Sequence, residues 1–307
     1  MSPVSKILLK GFIFSLPLIL MAGLVEYKLR TAHTVSSYAT KKYYIEQQLD
    51  SIETLVVGNS QMFNGIDVGC FSSKSFNLAN VSQTLYYDRQ LTLQYLPKLP
   101  KLKTVIIGIS YFSFFYELCD IQEHWREDFY ATHYNIAGCK KQNSNLLYLT
   151  TYQPQQAFTL ACNLFKDAGA ATIFYNGYQP KYQQKEISDS SGLQRVNIHN
   201  TENYTNRRLE IENNLELFIK QLHSQNINVV FVTMPVYNTY YKYCNTAVIQ
   251  HNTQFINTLC KKYSCRYLNF FTDARFVKTD FEDNDHLKDN GAKKLSKIIN
   301  DTLSLAP

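Results

Sequence analysis

The sequence predicts an α/β protein in which a mainly parallel five-stranded sheet lies between two layers of helices, preceded by an N-terminal transmembrane helix. Three observations carry this prediction. Short β-branched apolar runs alternate with helical stretches, a charge-free apolar run lies near the N-terminus, and 45% of the 307 residues are hydrophobic. A chain of this length and composition can bury a large core, so disorder is excluded.

The N-terminal apolar run is long enough to cross a membrane. No charged residue lies between Gly11 and Val25, and the apolar span from Ile7 reaches about the ~20 residues that a bilayer requires. The following "MAGLVEY" is a poor cleavage site, which favours an uncleaved anchor over a signal peptide. We therefore expect a single-pass protein of the cell (inner) membrane with its main domain outside the cytoplasm, although the flanking basic residues orient the span only weakly.

Three regions follow from the pattern: an anchor at 1–30, a juxtamembrane helix or spacer at 31–50, and an α/β domain at 51–307. Apolar runs that resemble strands buried on both faces lie at 52–58, 73–80, 103–110, 227–235 and 265–271. Helical stretches lie at 82–99, 207–226, 246–263 and 289–303. Residues 111–205 lack this alternation, and we interpret them as a partly helical insertion packed over the end of the sheet.

Charge and cysteine content narrow the function classes. The net charge of +6 is spread over short Lys and Arg pairs, which gives no support to nucleic-acid binding. Seven cysteines cannot all pair within one chain, and no C-x-x-C motif indicates zinc, so neither a metal nor a cofactor is predicted. In an exported domain Cys119 could pair with Cys139, or Cys260 with Cys265; free buried thiols are the alternative.

The first strand ends in an unusual way, in the stretch "VVGNSQMFNGID". In open α/β sheets, ligands bind outside the carboxyl ends of the strands, which places Gly58, Asn59 and Ser60 at the mouth of the expected site. Gly58 permits a tight turn, and Ser60 opens a helix whose free N–H groups can stabilise an anion. A serine hydroxyl becomes a good nucleophile only when a base takes its proton, so a histidine with an orienting carboxylate is required.

One histidine fits that requirement. His286 lies in "FEDNDHLKDNGAKKLSKIIND", just before the last helix, with Asp283 three residues upstream and Asp285 adjacent. For the other six histidines, which lie in helical or irregular stretches, we expect surface or structural roles.

The pattern Asp-x-x-His, followed by a turn, Gly-Ala and an amphipathic C-terminal helix, resembles the last conserved block of the SGNH (GDSL-like) hydrolase and acyltransferase family. "VVGNSQMFNGID", "FNLANVSQTLYYD" and "VIIGISYFSF" are similar to its first three blocks and occur in the same order, so the resemblance covers roughly residues 50–303. It is nearest to the membrane-anchored, extracytoplasmic branch with the D-alanine transfer protein of teichoic-acid biosynthesis and the alginate O-acetylation proteins. The resemblance implies an SGNH/flavodoxin-like fold with Ser60 as nucleophile, His286 as general base and Asp283 as the carboxylate that orients it.

The sequence departs from the family pattern in three blocks. Asn59 replaces the usual aspartate, and Ser82 replaces the glycine whose backbone N–H points at the oxyanion. The Gly-x-Asn of the third block reads Gly-Ile-Ser and ends at Ser110, so the amide donor is missing and Ser110 or Asn80 would have to stand in. Losing one such donor typically costs ~10²–10³ in rate.

A serine triad performs acyl transfer: attack by water makes an esterase, and attack by a sugar or polymer hydroxyl makes an O-acyltransferase. The expected partners are an acyl donor, a glycan or polymer acceptor, the membrane and an integral-membrane acyltransferase. The alternative is a catalytically weak or inactive SGNH-fold partner protein in an envelope-polymer modification complex. Phosphoryl or nucleotide chemistry has little support, because the chain lacks both a Gly-rich Lys-Ser/Thr loop and a G-x-G-x-x-G motif.

Overall fold

Five parallel strands form the centre of the molecule. The computed structural model describes residues 2–33, 36–139, 173–201 and 206–304. The strands are β1 Thr54–Val57, β2 Ser75–Asn77, β3 Thr104–Gly108, β4 Asn228–Thr233 and β5 Arg266–Asn269, in the order β2-β1-β3-β4-β5. All four pairings are parallel, which confirms the predicted five-stranded α/β sheet of the SGNH-like type.

Successive side chains of the strands point into two separate cores, one on each face of the sheet. Leu55, Val105 and Phe231 belong to the larger core, whereas their neighbours Val56 and Ile106 belong to the smaller one. All five side chains are fully buried. Because both faces are covered, the centres of β1, β3 and β4 are continuously apolar, and each buried aliphatic side chain contributes about 1.5–3 kcal/mol.

Ten α-helices surround this sheet within the described residues. They are α1 Pro3–Thr31, α2 Ser37–Glu46, α3 Ser60–Gly65, α4 Leu85–Tyr95, α5 Glu127–Tyr134, α6 Asp189–Thr201, α7 Arg208–Ser224, α8 Asn238–Tyr241, α9 Thr246–Tyr263 and α10 Asp289–Ser304. Helices α4, α7 and α9 supply the larger core, and α3 and α10 supply the smaller one, which gives the predicted three layers. The four helices expected at 82–99, 207–226, 246–263 and 289–303 correspond to α4, α7, α9 and α10.

Glycines at the ends of two neighbouring strands let α3 lie close to the sheet. Gly58 has a φ of +142°, which strains any residue with a side chain, and a Cβ there would stand 2.6 Å from Cγ of Met62. A Cβ on Gly108 would stand 2.2 Å from the same atom. Met62 therefore packs over both strand ends and fixes the helix that begins at Ser60.

Helix α1 is the one helix of the described chain that is long and apolar enough to cross a membrane. Its apolar stretch is not buried inside the protein. Leu29, at its C-terminal end, is buried in the larger core, together with Tyr38 and Ile45 of α2. The predicted spacer at 31–50 thus contains a packed helix, and the division into anchor, spacer and domain stays a prediction.

The predicted insertion is described at 111–139 and 173–201, and its central part, 140–172 with Cys162, lies outside the described residues. Cys119 and Cys139 form a disulfide, one of the two pairings considered from the sequence. The thiols of Cys260 and Cys265 are free.

Candidate active site

Ser60 lies where β1 passes into α3, at the carboxyl end of the sheet. The side chain of Asn59 caps the helix, because its Oδ1 accepts a hydrogen bond from the Gln61 N–H at 3.0 Å. The Asn59 amide donates to the Ser110 hydroxyl at 2.7 Å. The strand, the cap and the close approach of Met62 therefore fix the backbone that presents Ser60.

The structure brings His286 and Asp283 to Ser60. The Ser60 Oγ lies 2.8 Å from Nε2 of His286. On the other side of the ring, Nδ1 lies 2.9 Å from Oδ1 of Asp283 and 3.2 Å from its Oδ2. With Nδ1–H donating to the carboxylate, Nε2 of the neutral imidazole is free to accept the serine proton.

Asp283 also shapes the loop that carries the histidine. Its Oδ1 accepts hydrogen bonds from the backbone N–H groups of His286 at 2.9 Å and Asp285 at 3.1 Å. The loop closes on itself through the Glu282 N–H, which donates to the His286 carbonyl at 2.8 Å. We call residues 281–288 the histidine loop.

A second carboxylate stands beside the imidazole. Oδ1 of Asp285 lies 3.4 Å from Nδ1 of His286, and the Asp285 side chain is completely buried. Burial lowers the pKa of His286, but the charges of Asp285 and Asp283 outweigh it and raise that pKa to about 10. Burial by itself raises the pKa of Asp285, but His286 and Arg195 reverse the effect and hold it well below its usual range.

Ser60 and His286 open into a cavity of about 400 Å³ that carries charges of both signs. Its described lining includes Ser82, Arg195, Lys185 and Glu123. A cavity of this size has room for a small acyl group together with part of a polar acceptor.

Of the three predicted oxyanion residues, the structure places Ser82 in this cavity. Its φ of +54° lies in the left-handed region that favours glycine, as expected for a position where the family carries one. The Ser82 hydroxyl donates to Glu123, whereas the N–H groups of Ser60 and Ser82 have no acceptor among the described residues. Both N–H groups are therefore available to an anion in the cavity.

The structure does not bring the side chains of Ser110 and Asn80 into the cavity around Ser60. The Ser110 hydroxyl donates to Oε1 of Gln61 at 2.6 Å and is buried. Oδ1 of Asn80 accepts from Ser37 at 2.8 Å and from the Val81 N–H at 2.9 Å. These hydrogen bonds hold the two side chains in the protein interior.

Three cavity residues had no recognisable signal in the sequence. Arg195 and Lys185 lie in the insertion, where no periodic pattern or motif marks them. Asn64 lies one helical turn after Ser60, and its Oδ1 is buried without a hydrogen-bond partner. Only the spacing of four residues on the predicted helix α3 could have placed Asn64 on the same face as Ser60.

His199 also lines the cavity, and its contacts agree with the structural role expected for it. Its Nδ1 lies 2.6 Å from the Tyr240 hydroxyl, and its ring packs against Phe112 at 3.9 Å between centroids. Burial lowers its pKa to about 3, so the ring is neutral.

Asp283, Asp285 and His286 stand close enough to share a cation. Their arrangement is explained without one, because Asp283 binds the imidazole and the guanidinium of Arg195 lies 3.0 Å from Asp285. A positive side chain at that place would repel a bound cation.

A parallel five-stranded α/β sheet with Ser60, His286 and Asp283 in contact at its carboxyl end is the arrangement that the resemblance to SGNH-like proteins implied. A family model described as DltD protein matches residues 166–304, a little under half of the chain. This match confirms the resemblance predicted from the sequence; it includes Asp283 and His286, while Ser60 lies before the matched range.

No curated protein matches the sequence. Among solved structures, the chain is similar to a protein from Streptococcus pneumonia provisionally described as a platelet activating factor, with 12% identity, a TM-score of 0.44, and coverage of 99% of this chain and 100% of that one. A provisionally described acylhydrolase from Bacteroides fragilis is 10% identical with a TM-score of 0.43, over 85% and 94% of the two chains. Similarity at this level adds nothing to the argument from the site.

Proposed function

We propose that this protein is a membrane-anchored serine esterase or O-acyltransferase that acts on ester groups of an extracytoplasmic cell-envelope glycan or lipid-linked polymer. The observation that carries the proposal is the chain of hydrogen bonds from Ser60 through His286 to Asp283, with distances of 2.8 and 2.9 Å. Ser60 is the nucleophile, His286 the general base and Asp283 the carboxylate that holds the imidazole.

In the first half of the proposed reaction, Oγ of Ser60 attacks the acyl carbonyl while Nε2 of His286 takes its proton. The N–H groups of Ser60 and Ser82 donate to the oxygen that becomes negative. The tetrahedral intermediate then collapses, and His286 returns the proton to the departing alkoxide or thiolate. In the second half, water or a polymer hydroxyl gives its proton to His286 and attacks the carbonyl of the acyl-enzyme. The bond between the acyl carbon and Oγ then breaks, and His286 passes the proton to Oγ, which restores Ser60.

Three features support an extracytoplasmic location. Helix α1 is apolar enough to anchor the chain in a membrane. The Cys119–Cys139 disulfide is typical of oxidising compartments outside the cytoplasm. The DltD match supports a role in D-alanylation of teichoic acids or in a related modification of an envelope polymer. The donor is then an activated small acyl group, and the acceptor is a hydroxyl of the polymer.

One observation favours a second candidate, a weak or inactive partner protein beside an integral-membrane acyltransferase. The third block offers no side-chain amide, and the Ser110 hydroxyl in its place is already bonded to Gln61. With only backbone donors for the oxyanion, the rate could fall by ~10²–10³ relative to a complete site.

Labelling with a fluorophosphonate probe separates the two candidates. The full chain is purified in detergent, because Leu29 of α1 packs into the core, and wild type is compared with Ser60→Ala and His286→Ala. An activated serine predicts labelling of wild type and loss in both variants. Ser72→Ala is the matched control, since Ser72 is exposed and bonded to Asn300 at 3.0 Å, and it should keep wild-type labelling.

Well-folded wild-type protein that stays unlabelled across pH 6 to 10 would contradict the enzyme proposal and favour the partner protein. Labelling that persists in Ser60→Ala would show that another residue reacts. If labelling depends on Ser60, release of acetate from an aryl acetate with and without polyol acceptors then measures hydrolysis against transfer.

A further inference from the structure

His286 faces two carboxylates that differ in how they are held. Asp283 receives two backbone N–H groups and the Nδ1–H of the imidazole. Asp285 receives no backbone hydrogen bond that would fix its charge; besides the imidazole, its side-chain neighbours within the described residues are Arg195 and, at 3.5 Å, the Gln61 amide. A completely buried carboxylate with so few partners interacts strongly with each of them.

Arg195 and His286 share one oxygen atom. Nε of Arg195 lies 3.0 Å from Oδ1 of Asp285, and Nδ1 of His286 lies 3.4 Å from the same oxygen. The guanidinium side chain is 34% exposed at the cavity wall, whereas the carboxylate between the two cations is at 0%. The carboxylate of Asp285 therefore interacts both with a guanidinium that stays charged and with an imidazole that can lose its proton.

The balance of charge around the ring depends on this arginine. Arg195 compensates part of the charge of Asp285, although Asp285 and Asp283 together still raise the pKa of His286 to about 10. Without Arg195, two buried carboxylates would face the ring, and a nearby opposite charge typically changes a pKa by ~1–3. An imidazole held in its protonated form cannot accept the proton of Ser60.

We propose that Arg195 is a positioning residue that acts through Asp285 to keep His286 available as a base nearer to neutral pH. This inference rests on the proposed function, because it gives His286 the role of base. It gives part of the insertion a role: α6 places the guanidinium of Arg195 against the histidine loop, 90 residues away in the sequence.

The other charged and titratable groups around His286 do not substitute for Arg195. His199 is neutral, and Lys185 pairs with Glu282 at 2.9 Å rather than with Asp285. The charged and titratable groups that face His286 or line its cavity are Asp283, Asp285 and Glu282 of the histidine loop, Ser60 of α3, Arg195 and His199 of α6, Lys181 and Lys185 before α6, Tyr240 of α8, and Glu123 across the cavity. Arg195 is the cation in this set that contacts Asp285.

The test is the pH dependence of fluorophosphonate labelling in the full chain, measured as a second-order rate constant from pH 6 to 10. In wild type the labelling rate should rise tenfold per pH unit over the pH range in which His286 is mostly protonated. We call this rising part of the pH–rate profile the acid limb. Arg195→Met should move this acid limb upward by at least one pH unit, so labelling at a fixed pH on the limb becomes tenfold slower or more. Asp285→Asn should move it downward and make labelling at pH 7 faster.

Two further variants keep the proposal falsifiable if an unpaired buried Asp285 harms folding. The double variant Arg195→Met with Asp285→Asn removes both charges together and should bring the acid limb back towards its wild-type position. Arg195→Lys keeps the cation and should move the limb by much less than Arg195→Met. Lys242→Met, the matched control, removes a cation that pairs with Asp189 of α6 at 2.5 Å, outside the cavity lining, and should leave the limb in place.

An acid limb unchanged in folded Arg195→Met, whatever the height of the plateau, would overturn the proposal and show a structural or substrate-binding role. Titration of ¹³C-labelled His286 by NMR, assigned by its loss in His286→Gln, gives an independent readout. If neither wild type nor any variant is labelled, the enzyme proposal fails independently of this one. A pKa of His286 that is still higher in Arg195→Met than in wild type would then support the electrostatic role of Arg195. An unchanged pKa would overturn it.

Discussion

The two halves of the site are held in different ways. Ser60 sits at the end of a central strand, and residues next to it in sequence, Asn59 and Met62, fix its backbone. The histidine loop has local support from Asp283 and from the hydrogen bond between the Glu282 N–H and the His286 carbonyl, but no strand or helix carries His286. It is held from outside by residues 173–201, which we call the docking segment.

The contacts of the docking segment run along most of the histidine loop. The Lys185 N–H donates to the Glu282 carbonyl at 2.6 Å, and the Asn284 amide donates to the Ser191 hydroxyl at 2.9 Å. The Arg195–Asp285 ion pair follows one residue later along the loop. Ser60 thus depends on its own strand and helix, whereas His286 depends on a segment distant in sequence, and the two halves should respond differently to mutation.

The largest expected effect, after loss of Ser60 or His286, comes from Asp283→Asn. The asparagine oxygen can still accept the two backbone N–H groups, so the loop should keep its shape. It cannot stabilise the imidazolium, and the labelling rate should fall by ~10²–10⁴. Asp285→Asn is the comparison and should change the rate at pH 7 in the opposite direction. If labelling were slow in Asp285→Asn and unaffected in Asp283→Asn, Asp285 rather than Asp283 would be the carboxylate that orients the imidazole.

A smaller effect is expected from Asn284→Ala, which removes side-chain contacts on both sides of the histidine loop. Oδ1 of Asn284 accepts from Thr239 at 2.5 Å, and its amide donates to Ser191. Because one buried and one partly buried hydrogen bond are lost, the free energy of unfolding should fall by about 1–3 kcal/mol. Labelling should slow by roughly tenfold as the base becomes less well positioned, since misplacement by ~1 Å can cost ~10².

Asn290→Ala is the control for that change. Asn290 is exposed, and its amide donates to the Thr279 carbonyl at 3.1 Å and to Oδ1 of Asp280 at 2.9 Å, away from the cavity. Its labelling rate should stay within about twofold of wild type. Equal slowing in the two variants would mean that the docking segment does not position the histidine loop.

The smallest effect on labelling is expected from the disulfide, which lies in the half of the site that contains Ser60 and Ser82. Cys119 and Cys139 enclose α5, whose Tyr130 hydroxyl donates to Gln83 at 3.0 Å, beside Ser82. Replacing both cysteines by alanine should lower the free energy of unfolding by about 3 kcal/mol, as expected for a closed loop of this length. Chemical denaturation measures this loss. Labelling under native conditions should change less than threefold, and a large fall would show that the Ser82 loop depends on the crosslink.

Most of the framework could be predicted from the sequence. Strands buried on both faces appear as short apolar runs, and amphipathic helices such as α9 show their period directly; its predicted bounds, 246–263, match the structure. Ser60, His286 and Asp283 were found through short local patterns. The oxyanion prediction was less complete, because only the structure shows that Ser110 bonds to Gln61 and that Ser82 adopts a positive φ.

The sequence by itself therefore determined the order of strands and helices, the N-terminal apolar helix and the short Asp-x-x-His pattern, because each depends on residues close together in the chain. Only the tertiary structure decided which side chains meet across long separations. Ser60 and His286 are 226 residues apart, and Arg195 and Asp285 are 90 apart. Such contacts depend on how loops without a repeating pattern fold against the sheet, and local preferences carry no information about that.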